Sequence, residues 1–523
     1  MGNHDYDVAI VGGGPVGLTL ASLLARHGHR IALIERFRQV YPLPRAIRLD
    51  GEVMRVFQSF GIIREIEDEL TAMEGYRWVG ADGEEIVYIP FGVMAPSGWN
   101  DNYCFWQPAV DEALDRKAAS WPNVEMLRGW AVEGIDQDDE QVTLHTRYGT
   151  EEQPGDWQPT DEVKSLNATY VIGADGANSV IRTASEIEQT DFGFDEHWLV
   201  IDARPDDLSR WPARVAEQRC DPARPTVLVP NGSVHRRWEF MLLPGEEPSD
   251  FADPERVWEL LEPHLGRDEG ELVRSAVYQF RSKVADQWRK GRVLLAGDAA
   301  HVMPPFMGEG MCSGIRDATN LAWRVDLVLR GIAPPSLLDS YGSERRPHTE
   351  STIEVSVQMG RVSCTIDPEA AAARDRAFRS GEVPPPPPAP KLLDGTVRAE
   401  DPVAGTLTPQ GTMRTPDGRV GRLDDLVGAG FALVCRRGDP SALPAETLAF
   451  LDSIGAAVVT LDPAAHSLSD TDGTVTKFME ELGIDCFLAR PDGYGFGSAA
   501  DQSEVSGLVE ELRGALGAAT HAA

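Results

Sequence analysis

Apolar residues along this chain follow two alternating rhythms. Residues 6–11 form a short β-branched run, residues 15–27 carry apolar positions at helical spacing, and residues 30–36 turn apolar again. Together they predict strand, turn, helix and strand, one βαβ unit. Residues 76–105 and 190–285 differ, with strand-like runs such as 237–243 and 276–283 separated by Pro and Gly turns. They predict a sheet-rich second region interleaved with the first. A strand returns at 291–300, and a long helix follows over 314–330 with Leu321, Ala322, Val325, Leu327 and Val328 at helical spacing. Five consecutive prolines, Pro384 to Pro388, suit neither a helix interior nor a central strand and predict an exposed polyproline connector. Beyond residue 395 the spacing predicts strand 432–436, helix 444–453, strand 457–461, helix 474–482, strand 486–489 and a turn at 490–493.

Chemistry enters at the turns. Gly12, Gly14 and Gly17 form GxGxxG between the first predicted strand and helix, and Glu35 ends the next strand. In this pattern the first glycine permits a tight turn, the second admits a pyrophosphate to the backbone, and the third lets helix and strand pack closely, while the helix N-terminus faces the negative charge. Glu35 can accept hydrogen bonds from ribose hydroxyls. The motif predicts a dinucleotide but does not separate FAD from NAD. Two further strand ends bear on that choice: Gly173-Ala174-Asp175-Gly176, running on to Arg182, and Gly297-Asp298, followed by His301. A Gly-rich stretch from Pro304 to Gly314 then leads into the long helix, whose unpaired N–H groups suit an anion.

Over residues 5–345 these segments resemble the DG and GD fingerprints of the single-component flavoprotein aromatic hydroxylases, the p-hydroxybenzoate hydroxylase-like family. The resemblance implies an α/β fold with a Rossmann-type FAD-binding domain (1–75, 106–186 and 286–380) interleaved with a β-sheet-rich substrate domain (76–105 and 187–285). Cofactor contacts are expected from Gly12, Gly14, Pro15, Val16, Gly17, Glu35 and Arg36, and from Arg45, Gln107, Asp175, Arg182, Gly297 and Asp298. Pro305, Gly308, Gly310, Met311 and Cys312 complete that set, mainly through their backbones, since many relatives carry Asn where Cys312 stands. Residues 236–245 and 303–323 resemble the 3-(3-hydroxyphenyl)propionate hydroxylase-like branch, which carries a C-terminal thioredoxin-like domain. Residues 381–394 are then the proline-rich linker and 395–523 that domain. Its two cysteines, Cys435 and Cys486, lie far apart in sequence, so the tail reads as lacking a redox dithiol and as structural, an oligomer contact (a homodimer) being its candidate role.

The implied activity is hydroxylation of a phenolic ring with NADH or NADPH and O2 through a flavin C4a-hydroperoxide. Alternatives are epoxidation or another oxygenation on the same scaffold, or a flavin-binding protein without turnover. The halogenase WxWxIP and Baeyer–Villiger FxGxxxHxxxW patterns are missing from the sequence. Tyr278 and His235 are the candidates for a catalytic base, and His301 is not read as one. Arg237 and Pro304 are candidate substrate contacts. Arg236 and Arg237 point to opposite faces of a strand, so at most one reaches a substrate carboxylate, and a surface role is the favoured expectation for both.

Charge and composition narrow the partners. With 49 Lys and Arg against 83 Asp and Glu, the net charge of −34 repels nucleic acid and anionic membranes. The six cysteines show no CxxC pair and no metal-ligand spacing, so no metal is expected. No leader or membrane-spanning run is read in the sequence, which makes the cytoplasm the expected location.

Overall fold

The structure is a computed structural model that describes residues 5–153, 155–382, 391–462 and 468–517. The five-proline run lies outside the described residues. Strand β1 (Tyr6–Val11), helix α1 (Pro15–Ala25) and strand β2 (Ile31–Glu35) form the βαβ unit expected from the spacing. Helix α2 (Gly51–Phe60) follows, capped by the Asp50 carboxylate, which accepts from the Val53 N–H. Strand β3 (Trp157–Gly173) pairs in parallel with β1, and helix α3 (Val180–Ala184) comes next.

Parallel pairing decides where the chemistry collects. Val11 lies beside Ile34 on β2 and Gly173 on β3, and Gly173 lies beside Leu295 on the parallel strand Val293–Leu295. Four strands therefore end along one edge of an eight-stranded sheet. The turns that leave it carry Gly12, Glu35, Ala174 with Asp175, and Gly297 with Asp298. Crevices at the carboxyl ends of parallel strands are where open α/β sheets bind ligands. The strand expected over 291–300 stops early because Gly297, at φ +60°, turns the chain into a short 3-10 turn.

A second eight-stranded sheet is built around β4 (Gln189–Pro205), β5 (His235–Met241) and β6 (Gly270–Ala285). Trp238 and Phe240, with Leu199, Ile201 and Ala203, pack beneath helix Pro254–Leu261 on its outer face. Alternation then puts Arg237, Glu239 and Met241, with Trp198 and Asp202 opposite them, on the inner face. Trp198 and Met241 there cluster with Met73 and Cys104, against which Ile47 and Phe306 pack. The chain leaving the Gly297 turn joins this sheet directly, since His301 and Val302 pair with Val284 and Lys283 of β6.

Helices α4 (Gly310–Leu329) and α5 (Asp339–Ser363) follow. The C-terminal region forms a four-stranded sheet in which β7 (Ala432–Cys435) runs parallel to Ala457–Thr460 and antiparallel to β8 (Cys486–Ala489), with Gly495–Ala499 outermost. This is a thioredoxin-like order. Its core includes Trp323 and Leu327 of α4, which anchors it to the rest of the chain. One expectation is corrected here: Cys435 and Cys486 sit directly opposite each other across two paired strands. Both are buried thiols, and the hydrogen bond between them and burial push Cys486 far up, so Cys486 offers no thiolate for redox exchange.

Candidate active site

The first glycine turn is closed by backbone. Gly12 has φ +110°, and a Cβ there would lie 2.2 Å from the Ala174 carbonyl oxygen, while a Cβ on Gly17 would lie 1.9 Å from the Gly12 oxygen. Gly14 has nothing within 4 Å of its Cβ position, so that side of the turn faces open space. Helix α1 starts there with no side-chain cap and with Pro15 in its first turn, leaving its end N–H groups for an anion. Glu35 accepts from the Gly13 N–H at 2.6 Å and the Phe37 N–H at 2.9 Å, so it braces the turn. Arg36 is exposed and lies over the Phe37 ring.

The other turns close onto this one. Asp175 caps α3, accepting from Ser179 Oγ at 2.5 Å and the Val180 N–H at 2.8 Å, and its carboxyl is raised chiefly by burial. Arg182 donates to the carbonyls of Ala177 and Ala299, both at 2.9 Å, and so ties the Asp175 turn to the Asp298 turn. Val16 packs against Gly297 and Gly314, where added Cβ atoms would meet it at 3.0 and 2.6 Å. Asp298 is exposed at the strand end, and desolvation by the protein around it raises its carboxyl.

Sequence reasoning missed what holds the Asp298 turn. Asp317, buried on α4, accepts from the Gly297 N–H at 3.0 Å, from Arg345 Nε at 2.9 Å, and pairs with His301 Nε2 at 2.6 Å. Burial alone would raise its carboxyl, but His301 and Arg345 outweigh that and hold it low. His301 is wholly buried in this brace and stacked on Trp288. Asp317 stands seven residues into α4, and only the fold reveals that this position faces the turn.

In the loop before α4, the Pro304 carbonyl accepts from Ser356 Oγ at 2.7 Å, Pro305 opens a 3-10 turn, and Gly308 turns at φ +64° against Arg48. Helix α4 begins at Gly310 with no side-chain cap. Met311 is half-buried, whereas the Cys312 sulfur is turned inward toward the Arg48 carbonyl at 3.6 Å, leaving its backbone as the part that can face the cleft. Glu309 is gripped by Arg48 and Arg316, and Arg316 also reaches Asp50 and Glu52. Burial would raise Glu309, but the two guanidiniums outweigh it and hold the carboxyl down at about 2. Asp50, Glu309 and Cys312 gather within metal-ligand distance, and Arg48 and Arg316 already meet that charge.

Opposite lies the segment around Arg45, whose side chain is exposed. Gln107 Oε1 accepts from the N–H groups of Arg45 and Ala46 at 2.6 and 2.7 Å and its Nε2 donates to Asp111 at 3.1 Å, so Gln107 sets the path of this segment. Burial raises the Asp111 carboxyl to about 7. A raised carboxyl favours the protonated folded state, so its contribution to stability is complete below the unfolded value near 3.8 and is lost as pH rises through about 7. Asp111→Asn is therefore expected to raise the unfolding midpoint at pH 8 and to change it little near pH 4, which thermal melts at the two pH values will check.

Arg236 and Arg237 are both buried, correcting the surface role expected for them. Arg237 pairs with buried Asp202 at 2.8 Å and donates to the carbonyls of Arg45 and Pro44 at 2.7 and 3.1 Å. Its N–H donors are engaged in hydrogen bonds to Asp202 and to these two carbonyls, so the fold uses the side chain to fix the Arg45 segment. Tyr278 lies on the same inner face as Trp198, under the Arg274 guanidinium at 4.9 Å. His235 stacks on Trp106 at 3.8 Å, and burial lowers its pKa.

A family model described as FAD binding domain matches residues 5–356, and one described as HcaD C-terminal domain matches 405–515. The chain belongs to the FAD-binding hydroxylase family. It is 37% identical to the probable NADH-specific resorcinol 4-hydroxylase of Rhodococcus jostii (strain RHA1), covering 98% of this chain and 96% of that one. Identity is 34% to the 3-(3-hydroxy-phenyl)propionate/3-hydroxycinnamic acid hydroxylase of Mycolicibacterium smegmatis (strain ATCC 700084 / mc(2)155), over 93% and 89% of the two chains. In fold, the chain superimposes on the flavin-dependent monooxygenase PieE, solved with FAD and substrate, with a TM-score of 0.82 over 98% of this chain and 99% of that one at 22% identity.

The residues of this FAD-family chain fit the cofactor on their own terms. Two helices present N-termini with no side-chain cap, Gly14 leaves room for a pyrophosphate, and the Asp298 carboxyl stands exposed at the Gly297 turn. The C-terminal region braces the same site from behind. Tyr494 donates to Glu52 at 3.2 Å, Glu52 pairs with Arg316, and Arg316 pairs with Glu309 of the Gly-rich loop. Arg490 bridges Glu344 of α5 at 2.8 Å and Asp492 at 2.5 Å, in a cluster where Arg324 also grips Glu344. The turn expected at 490–493 is thus a buried ionic joint.

Proposed function

We propose that this protein is an FAD-dependent monooxygenase that hydroxylates a small phenol, with NADH as reductant: ArH + NADH + H+ + O2 gives ArOH + NAD+ + H2O. The observation that carries the reading is the contact of three dispersed turns, at Gly12, Asp175 and Asp298. Bound FAD supplies hydride acceptance and oxygen activation. The N–H groups at the start of α1 would hold its pyrophosphate, Glu35 and Asp298 would take ribose or ribityl hydroxyls, and the N-terminus of α4 would stabilise negative charge at the ring edge. Arg45, positioned by Gln107 and Arg237, supplies a cation on the other side of the cleft.

Water must be kept from the reacting atoms, and the chain provides aromatic bulk for that. Phe306 makes edge contacts with Phe194, Trp198 and Phe280 at 5.5, 5.9 and 6.2 Å. The resorcinol-directed relative supports a single-ring phenol as the substrate class and NADH as the reductant. All six cysteines are free thiols, which fits the cytoplasm as its location. No helix among the described residues is long and apolar enough to cross a membrane.

The test is a screen of phenols against the holoenzyme, following nicotinamide consumption and H2O2 release. Resorcinol-type substrates should give coupled turnover, with NADH preferred to NADPH by about tenfold or more in kcat/KM. Uncoupled oxidation with every phenol would defeat the assignment.

A further inference from the structure

Glu239 stands out among the charged groups of the second sheet. It sits on β5 between Arg237 and Met241 and shares their inner face, opposite Val200 and Val227. The residue is 9% exposed, and no hydrogen bond to its carboxylate occurs among the described residues. Its side chain keeps 11% of its surface exposed, and its ion-pair partner among the described residues is Arg237, whose Nη1 lies at 3.8 Å. That guanidinium is already committed to Asp202 and to the carbonyls of Pro44 and Arg45, so it steers Glu239 without closing over it.

Neighbouring groups place this carboxylate in the cleft. Met241 and Trp198 on the same face cluster with Met73, Ile47 and Phe306, and Ile47 and Phe306 belong to the two segments that flank the proposed flavin site. A buried carboxylate without a donor costs free energy, so a site that keeps one is matched to a ligand that brings the donor.

We infer that Glu239 receives the ring hydroxyl of the phenolic substrate and takes its proton. The inference rests on the function proposed above. In the step, the phenolic O–H bond breaks, an O–H bond forms on a Glu239 oxygen, and the electron pair stays on the phenolate, enriching the ring carbons ortho and para to it. No redox partner is needed, and Glu239 returns the proton to solvent after product leaves. Geometry and chemistry agree with its titration: burial raises the Glu239 carboxyl, partly opposed by Arg237 and helped by Asp202. Those two and Tyr76, on strand Gly75–Val79, are the titratable or charged groups that act on it among the described residues. Tyr278 and His235, the bases considered from sequence, are a ring beneath Arg274 and a ring stacked on Trp106.

The test compares wild-type holoenzyme with Glu239→Gln, using resorcinol as probe over pH 5 to 9. The Gln variant should retain FAD, lose about 100-fold in kcat/KM for hydroxylation, release a larger share of H2O2, and lose the acid limb of the wild-type pH profile. A fluorinated resorcinol, whose hydroxyl is more acidic, should recover part of the loss in the variant. A Gln variant that hydroxylates within about threefold of wild type, with the same profile, overturns the assignment of Glu239 alone. Wild-type enzyme that hydroxylates no phenol removes the functional reading and this inference with it. Should the Gln variant fail to hold FAD, Glu239→Asp carries the comparison: a retained acid limb with reduced kcat supports the assignment, and unchanged kinetics overturn it.

Discussion

Gly12→Ala protein is expected to bind FAD at least about 100-fold more weakly than wild type and to purify nearly colourless. Two independent costs fall on this one methyl group. At φ +110° an L-residue is strained by about 1–3 kcal/mol. The new Cβ would also lie 2.2 Å from the Ala174 oxygen and 2.6 Å from its carbonyl carbon, both backbone atoms that cannot swing aside. Relief requires β1 and the Ala174–Asp175 turn to separate, which opens the contact on which the proposed site depends. At about 1.4 kcal/mol per tenfold, the two terms give the stated loss. Titration of FAD fluorescence, with circular dichroism to show that the sheet persists, measures it. A variant that binds FAD like wild type would remove the glycine turn from the cofactor site.

The second large effect concerns stability. Arg490→Met is expected to destabilise the protein by about 3–5 kcal/mol, because it leaves Asp492 and part of Glu344 as uncompensated buried charge. Burial would raise Glu344, but Arg324 and Arg490 outweigh it and hold the carboxyl down at about 2. A depressed carboxyl contributes stability that is fully present above its unfolded value of 4.5 and is lost as pH falls toward about 2. The variant should therefore lose most of its deficit relative to wild type in strong acid. Adding Asp492→Asn should recover part of the loss at pH 7, since it removes the stranded charge. Denaturant melts of the three proteins check this, and equal midpoints at pH 7 would show that the joint is not a stabilising contact.

How much of this was legible in the sequence depends on range. Local signals carry far: the spacing predicts the 474–482 helix and the 486–489 strand to the residue, and glycine spacing marks the turns. What the spacing could not show was pairing across distance. Cys435 and Cys486 look remote until β7 and β8 adopt their register, and Arg237 looks solvated until Asp202 arrives from β4 to meet it. Asp317, Glu344 and Glu239 carry no local motif at all. Each gains its meaning from a partner 16 or more residues away, or, for Glu239, from the donor it lacks. Fingerprint turns can be read because backbone geometry dictates glycine at fixed offsets. Buried ion pairs cannot, because any strand or helix position can supply them.

The most direct measurement is turnover under 18O2 with NADH and resorcinol, followed by mass spectrometry of the product. One 18O atom per hydroxylated product, in step with NADH consumed and lowered by Gly12→Ala when FAD is limiting, is the expected result. Consumption of NADH with all of the label recovered in hydrogen peroxide, or product oxygen drawn from water, would contradict it.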